Sequence, residues 1–140
     1  MTIPKFSNAS QSFHGELKKR INEYFKEVGK SSTGNYKLFI KAIVLIVSFL
    51  FVYIHLIFFT PPVWLALLEC IILGGLTAAI GFNIMHDGLH GSFSRYKWLN
   101  SLAGLSLNFL GANNFMWKTK HNIIHHTYTN IEGIDDDIEA

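Results

Sequence analysis

The sequence holds one cysteine, Cys70, in an apolar run. A single thiol excludes an internal disulfide and any Cys-x-x-Cys motif. A metal held by this chain would be held by nitrogen and oxygen donors rather than by sulfur. Proline is scarce, and two of the three residues stand together at Pro61-Pro62, where they break a helix. Basic charge is missing from the whole middle of the chain. None of the 12 Lys and Arg lies between Ala42 and Met85. The opening residues have no apolar stretch followed by a small-residue cleavage site, so they do not read as a secretory signal. Residues 1–12 read as a loose polar tail. The net charge of +2 is weak, and nucleic acid is not expected as a partner.

What is abundant is apolar. Hydrophobic residues make up 49% of the 140 and aromatics 14%, which suits a membrane protein better than a soluble one. The length allows one domain or part of one. Phe13 to Val28 predicts an amphipathic helix, with Phe13, Leu17, Ile21, Tyr24, Phe25 and Val28 at helical spacing. Ser12 is its expected N-cap and Gly29 its stop. It packs on its own domain, or lies in the headgroup layer with Lys18, Lys19, Arg20 and Lys26 toward anionic lipid.

Ala42 to Phe59 carries no formal charge over 18 residues, and Val63 to Met85 carries only Glu69 over 23. At 1.5 Å per residue these runs reach roughly 27 and 34 Å, enough to cross a bilayer core. Thr60-Pro61-Pro62 joins them as a tight turn. The expected fold is an all-α integral membrane protein, a two-span transmembrane hairpin preceded by the amphipathic helix. Residues 1–41 form the N-terminal segment, and residues 42–140 the membrane domain. Every Lys and Arg lies on the two flanks of the hairpin. The flanks share one side, and positive charge makes that side cytoplasmic. Asn100 to Met116 is too short and too polar to span, and is read as an interfacial or re-entrant helix. His55 and Glu69 are the ionisable groups inside the runs. They lie at similar depths from Pro61, so they can pair.

Five of the seven histidines fall in two short clusters, His86-Asp87-Gly88-Leu89-His90 and His121-Asn122-Ile123-Ile124-His125-His126. His86 and His90 are four apart, as are His121 and His125. On a helix that spacing turns both rings to one face, where they can share a metal. His126 is turned by about one residue's rotation, toward a neighbouring ion. Imidazole donors suit iron, zinc, copper or nickel. Both clusters sit on the cytoplasmic flank of the hairpin, on cytoplasmic or interfacial helices.

This pair of motifs resembles the first two histidine boxes of the membrane fatty acid desaturases. Trp117 before the second cluster, Thr127-Tyr128-Thr129-Asn130 after it, and the Gly133 to Ile138 stretch resemble the acyl-CoA and acyl-lipid members, including the linoleoyl-CoA type. The resemblance runs from about Val63 to Ile138. It implies two iron ions, O2 as co-substrate, and removal of two hydrogens from an acyl chain. It also implies a bilayer setting in a bacterial inner membrane or endoplasmic reticulum, with an acyl-CoA or acyl-lipid substrate. His86, His90, His121, His125 and His126 would be metal ligands. Asp87, Asn122 and Asn130 are candidates to orient them. Arg95, Lys97, Trp117, Lys118 and Lys120 are candidates to meet a substrate headgroup. The family carries a third histidine box after two more spans, which these 140 residues lack. There is no His-Pro-Gly-Gly haem motif, so electrons would come from an external ferredoxin or cytochrome b5-like donor. The expected identity is the N-terminal piece of a desaturase, inactive alone. A related di-iron membrane hydroxylase and a non-redox metal-binding membrane protein are the rival readings.

Overall fold

A computed structural model of the chain describes residues 13–135, 137 and 138. The polar tail and the Ser12 cap lie outside the described residues. The chain divides into two units, Met1–Ser32 and Thr33–Ala140. Among the described residues there are helices and turns but no strand.

Among its described residues the first unit holds one helix, α1 (Phe13–Glu27). Its apolar stripe is solvent-exposed from Phe13 to Tyr24. Arg20 and Glu16 pair one turn apart at 2.8 Å on the surface. The helix stops at Gly29 as expected. Gly29 takes a φ of +61°, which L side chains disfavour. The Lys30 N–H then donates to Phe25 O at 3.1 Å and the Gly29 N–H to Lys26 O at 3.3 Å. These two bonds close a Schellman motif.

The second unit opens on α2 (Tyr36–Phe58) and α3 (Val63–Ile80). α2 begins six residues before the charge-free window, because Asn35 caps it by accepting from the Lys37 N–H at 2.9 Å. Charge marks where a bilayer can lie, not where a helix starts. The two helices pack antiparallel on either side of the Pro61-Pro62 turn. His55 Nδ1 lies 2.7 Å from Glu69 Oε1, so the similar depths read from the sequence do bring the two side chains together. Glu69 is buried against α2, and its other oxygen has no partner.

α3 does not end at Ile80. It runs on through a π-helical turn, π1 (Gly81–Met85), into α4 (His86–His90), giving a continuous Val63–His90 helix of 28 residues. Over an 18-residue window the mean hydropathy is 2.5 in α2 and 2.2 in this longer helix, and only 6% and 11% of those windows are buried. A soluble core helix of that hydropathy would be covered. Both helices are long and apolar enough to cross a membrane.

α5 (Lys97–Phe109) lies across α4 and π1. The Asn100 to Met116 segment is thus not one helix. α5 stops at Phe109, the chain turns, and Asn113 caps a new helix by accepting from the Phe115 and Met116 N–H groups at 2.9 and 3.2 Å. At 13 residues α5 is roughly 20 Å long, short of a bilayer core. The crossing of α4 and α5 is built on glycine. A Cβ on Gly88 would lie 2.7 Å from Gly104 N and 2.8 Å from Asn100 O. Buried Asn100 also ties down the loop after the first histidine cluster. It accepts from the Ser94 N–H at 2.7 Å and donates to Ser94 O and Gly91 O at 2.8 and 3.1 Å. The last run is α6 (Asn114–Trp117), π2 (Lys118–His125) and α7 (His126–Tyr128). Met85, Leu89 and Leu107 form a small core against which Trp117 packs.

Candidate metal centre

Two helical runs deliver the five imidazoles. His86 and His90 occupy α4, one turn apart, with ring centroids 4.4 Å from each other. His121 and His125 lie in π2, with near-parallel rings 5.1 Å apart. His126 opens α7. The π geometry changes what the second cluster can do. Bonds in π2 run from residue i to i+5, as in the His126 N–H to His121 O bond. The turn is wider than in an α-helix, so His125 and His126 both stay beside His121, at 5.1 and 5.0 Å.

The two clusters meet. His121 lies 5.4 Å from His86 and 5.2 Å from His90, and His126 lies 4.9 Å from His90. One ring nitrogen each from His86, His90 and His121 fall within 4.8 Å of one another. His121, His125 and Asp137 form a second such set, and His121 belongs to both. Metal–imidazole bonds are about 2.0–2.1 Å, so donors on opposite sides of one ion stand about 4 Å apart. Neighbouring donors on one ion stand closer still, at about 3 Å, so the first set must draw together to hold an ion, and its all-nitrogen chemistry suits a divalent first-row metal.

Trp117 stacks on His121 at 4.3 Å and presents its indole to His86 and His90 at 5.6 and 5.5 Å. It shields one side of the cluster rather than facing outward with the lysines. Asn122 donates to Leu89 O at 3.0 Å, which ties π2 to α4. Its own side-chain oxygen is buried without a partner. Asp87 comes no closer than 3.7 Å to His86 Nδ1. Asn130 contributes its backbone, donating its N–H to Asp135 Oδ2 at 2.8 Å. Of the three side chains expected to orient the rings, only Asp87 stands beside one.

Two residues outside the sequence-derived set touch the rings directly. Asp137 Oδ2 lies 2.5 Å from His121 Nδ1, and both oxygens of Asp135 lie 3.0 Å from His125 Nδ1. Asp135 has no exposed surface. Burial pushes its carboxyl up, but hydrogen bonds from the Asn130 N–H, His125 and the Asp137 N–H outweigh that and hold it below the usual carboxylate range. The available signal was the acidic run after the second cluster. Spacing in a turn does not say which carboxylate faces which ring.

Arg95 and Lys97 are exposed beside the loop that follows α4, and Lys118 and Lys120 are exposed on π2. Arg95 donates to the Tyr96 hydroxyl at 2.5 Å and lies over that ring at 4.6 Å.

The fatty acid desaturase family model matches residues 62–140, from the turn before α3 through both histidine clusters. The chain belongs to the fatty acid desaturase family. The sn-1 linoleoyl-lipid 6-desaturase of Arthrospira platensis is 39% identical over 131 residues, covering 94% of this chain and 36% of that protein. The Synechocystis enzyme of the same name is 34% identical, covering 93% of this chain and 36% of its own length. An acyl-lipid (8-3)-desaturase of Physcomitrium patens is 29% identical, over 94% of this chain and 27% of that protein. This desaturase-family chain therefore spans about a third of the length of its curated relatives, and their likeness extends through α2 and much of the N-terminal segment. No solved structure gives a significant match.

Proposed function

We propose that this chain is the N-terminal part of a membrane-embedded, O2-dependent di-iron desaturase that places a double bond in a lipid-borne acyl chain. His86, His90, His121, His125 and His126 supply part of the iron ligand set. The observation that carries the reading is the convergence of ring nitrogens within 4.8 Å from clusters on two separate helical runs. A surface histidine cluster has no reason to be assembled this way, across a glycine-packed crossing and under an indole. When bound, a pair of irons supplies the means to activate O2 and to remove two hydrogens from an unactivated acyl chain.

The chain's own residues do the positioning. π1 and α4 carry His86 and His90 to the end of the second span. π2 keeps His121, His125 and His126 on one face. Trp117 covers the rings and keeps water from that side. The hairpin seats the site at the bilayer surface, so an acyl chain can enter apolar surroundings while its head stays wet. Two relatives are named for linoleoyl-lipid and one for an acyl-lipid, which favours an acyl-lipid over an acyl-CoA substrate here. Arg95, Lys97, Lys118 and Lys120 stand on the flank where anionic headgroups gather. The cytoplasmic side is assigned to the N-terminus and both clusters by the charge map. Electrons come from a separate ferredoxin or cytochrome b5-like protein.

The test is lipid analysis of cells expressing the full-length protein, together with its metal content. New double bonds and bound iron are expected. Hydroxylated lipids without new double bonds would move the chain to a related hydroxylase. Zinc at one per chain without iron would defeat the redox reading.

A further inference from the structure

Asp135 is the most deeply buried polar residue of the described chain, with no exposed surface at all. A carboxylate is costly to bury unless hydrogen bonds replace its water. Here they do. The Asn130 N–H donates to Oδ2 at 2.8 Å and the Asp137 N–H to Oδ1 at 3.2 Å. His125 Nδ1 lies 3.0 Å from both oxygens. The turn is shaped for this. Asn130 takes a φ of +62°, and the Asp135 N–H closes back on Ile131 O at 3.0 Å. Two residues on, Asp137 Oδ2 stands 2.5 Å from His121 Nδ1. A single turn thus places one carboxylate on the same nitrogen of each of two stacked rings.

An ionised carboxylate only accepts hydrogen bonds, so the Nδ1 atoms must carry the protons. A neutral imidazole has one N–H and one lone pair, and the lone pair is then on Nε2. We propose that Asp135 and Asp137 are positioning residues that hold His125 and His121 in the Nδ1–H tautomer with Nε2 presented to a metal. The proposal rests on the reading of these histidines as ligands. It assigns the orienting role to the acidic turn rather than to Asp87, Asn122 or Asn130. It also leaves Asp137 outside the ligand set, although its carboxylate lies close enough to His121 and His125 to join one ion with them. Outer carboxylates of this kind fix ring orientation and raise ligand basicity.

The experiment uses the full-length protein in detergent, with Asp135→Asn and Asp137→Asn variants. Tautomers are read by 15N NMR of the histidine rings in the metal-free protein. Metal retention is read as the rate of Fe(II) loss to a chelator, and of Zn(II) loss in parallel. In the unaltered protein both His121 and His125 are expected as Nδ1–H with bare Nε2. Asp135→Asn is expected to scramble the His125 tautomer alone and to speed metal loss about 10–100-fold. Asp137→Asn is expected to do the same through His121 alone. Unchanged tautomers in both variants would overturn the proposal. Metal loss in Asp137→Asn with the His121 tautomer intact would overturn it for Asp137 and make that residue a direct ligand. If Asp135→Asn does not fold, the exposed Asp137 decides alone, by the same two readouts. An unaltered protein that retains neither Fe(II) nor Zn(II) would defeat the ligand reading, while the metal-free tautomers would still decide the proposal made here.

Discussion

His121 is the residue that joins the two halves of the cluster. It belongs to both candidate donor sets, its face is covered by Trp117, and its Nδ1 meets Asp137. His126 stands at the exposed rim and belongs to neither set. The two histidines are therefore expected to differ sharply on removal. In the full-length protein, His121→Ala should reduce bound iron to a small fraction of the unaltered level. His126→Ala should retain a measurable share, and His14→Ala, on α1, should leave iron content unchanged. Metal analysis of the three purified variants checks this, and equal losses for His121→Ala and His126→Ala would contradict the donor geometry. At this scale the sequence was informative about ring identity and less so about ring partners. The five histidines were legible because their spacing is regular. Asp135 and Asp137 were not, because their contacts are set by a turn of irregular backbone. Trp117 was assigned to a headgroup, but it stands against the rings.

The element that most alters the sequence-based picture is π2. A spacing of four residues reads naturally as α-helix, in which His125 lies one turn from His121 and His126 points away. The hydrophobic pattern carries no sign of a π turn, because Ile123 and Ile124 fit either winding. Its consequence is geometric, since the wider turn keeps both histidines beside His121. A π segment holds one more residue per turn than the α-helix it interrupts. Deleting Thr119 should let the segment relax to α geometry, in which His126, five residues on, stands about 140° around the axis from His121. Helical content by circular dichroism is expected to stay almost unchanged, while Fe(II) affinity falls at least tenfold. Retained affinity would mean that the winding of π2 is incidental to the site. The two long helices were legible in advance, since unbroken apolar runs and a Pro-Pro turn have few other solutions. The ends of α2 and α5 were not, because they depend on the side-chain caps of Asn35 and Asn113 and on the glycine crossing of Gly88 and Gly104.

For the molecule as a whole, the hairpin and the cluster fix each other's position. His55 and Glu69 meet at 2.7 Å, away from the histidine clusters and toward the Pro61-Pro62 turn, and set the register of α2 against α3. Hydrogen bonds between membrane helices contribute about 0.6–2 kcal/mol. Glu69→Ala should lower stability in detergent by that order, and Glu69→Gln, which can still accept from His55, by less. The same register puts residues 41 and 83 together at the other end, where Lys41 Nζ donates to Asn83 Oδ1 at 2.7 Å. That end is basic, and the turn end has no Lys or Arg at all. If the hairpin crosses with its flanks in the cytoplasm, a cysteine placed at Arg95 and one placed at Val63 must differ in access. With Cys70 replaced by serine to remove the native thiol, a membrane-impermeant maleimide added to intact cells should label the position beside the turn and not position 95. After the membrane is opened, both should react. Labelling of position 95 from outside would invert the topology and put the histidine clusters on the side away from a cytoplasmic electron donor, so this one measurement bears on orientation and on the redox reading together.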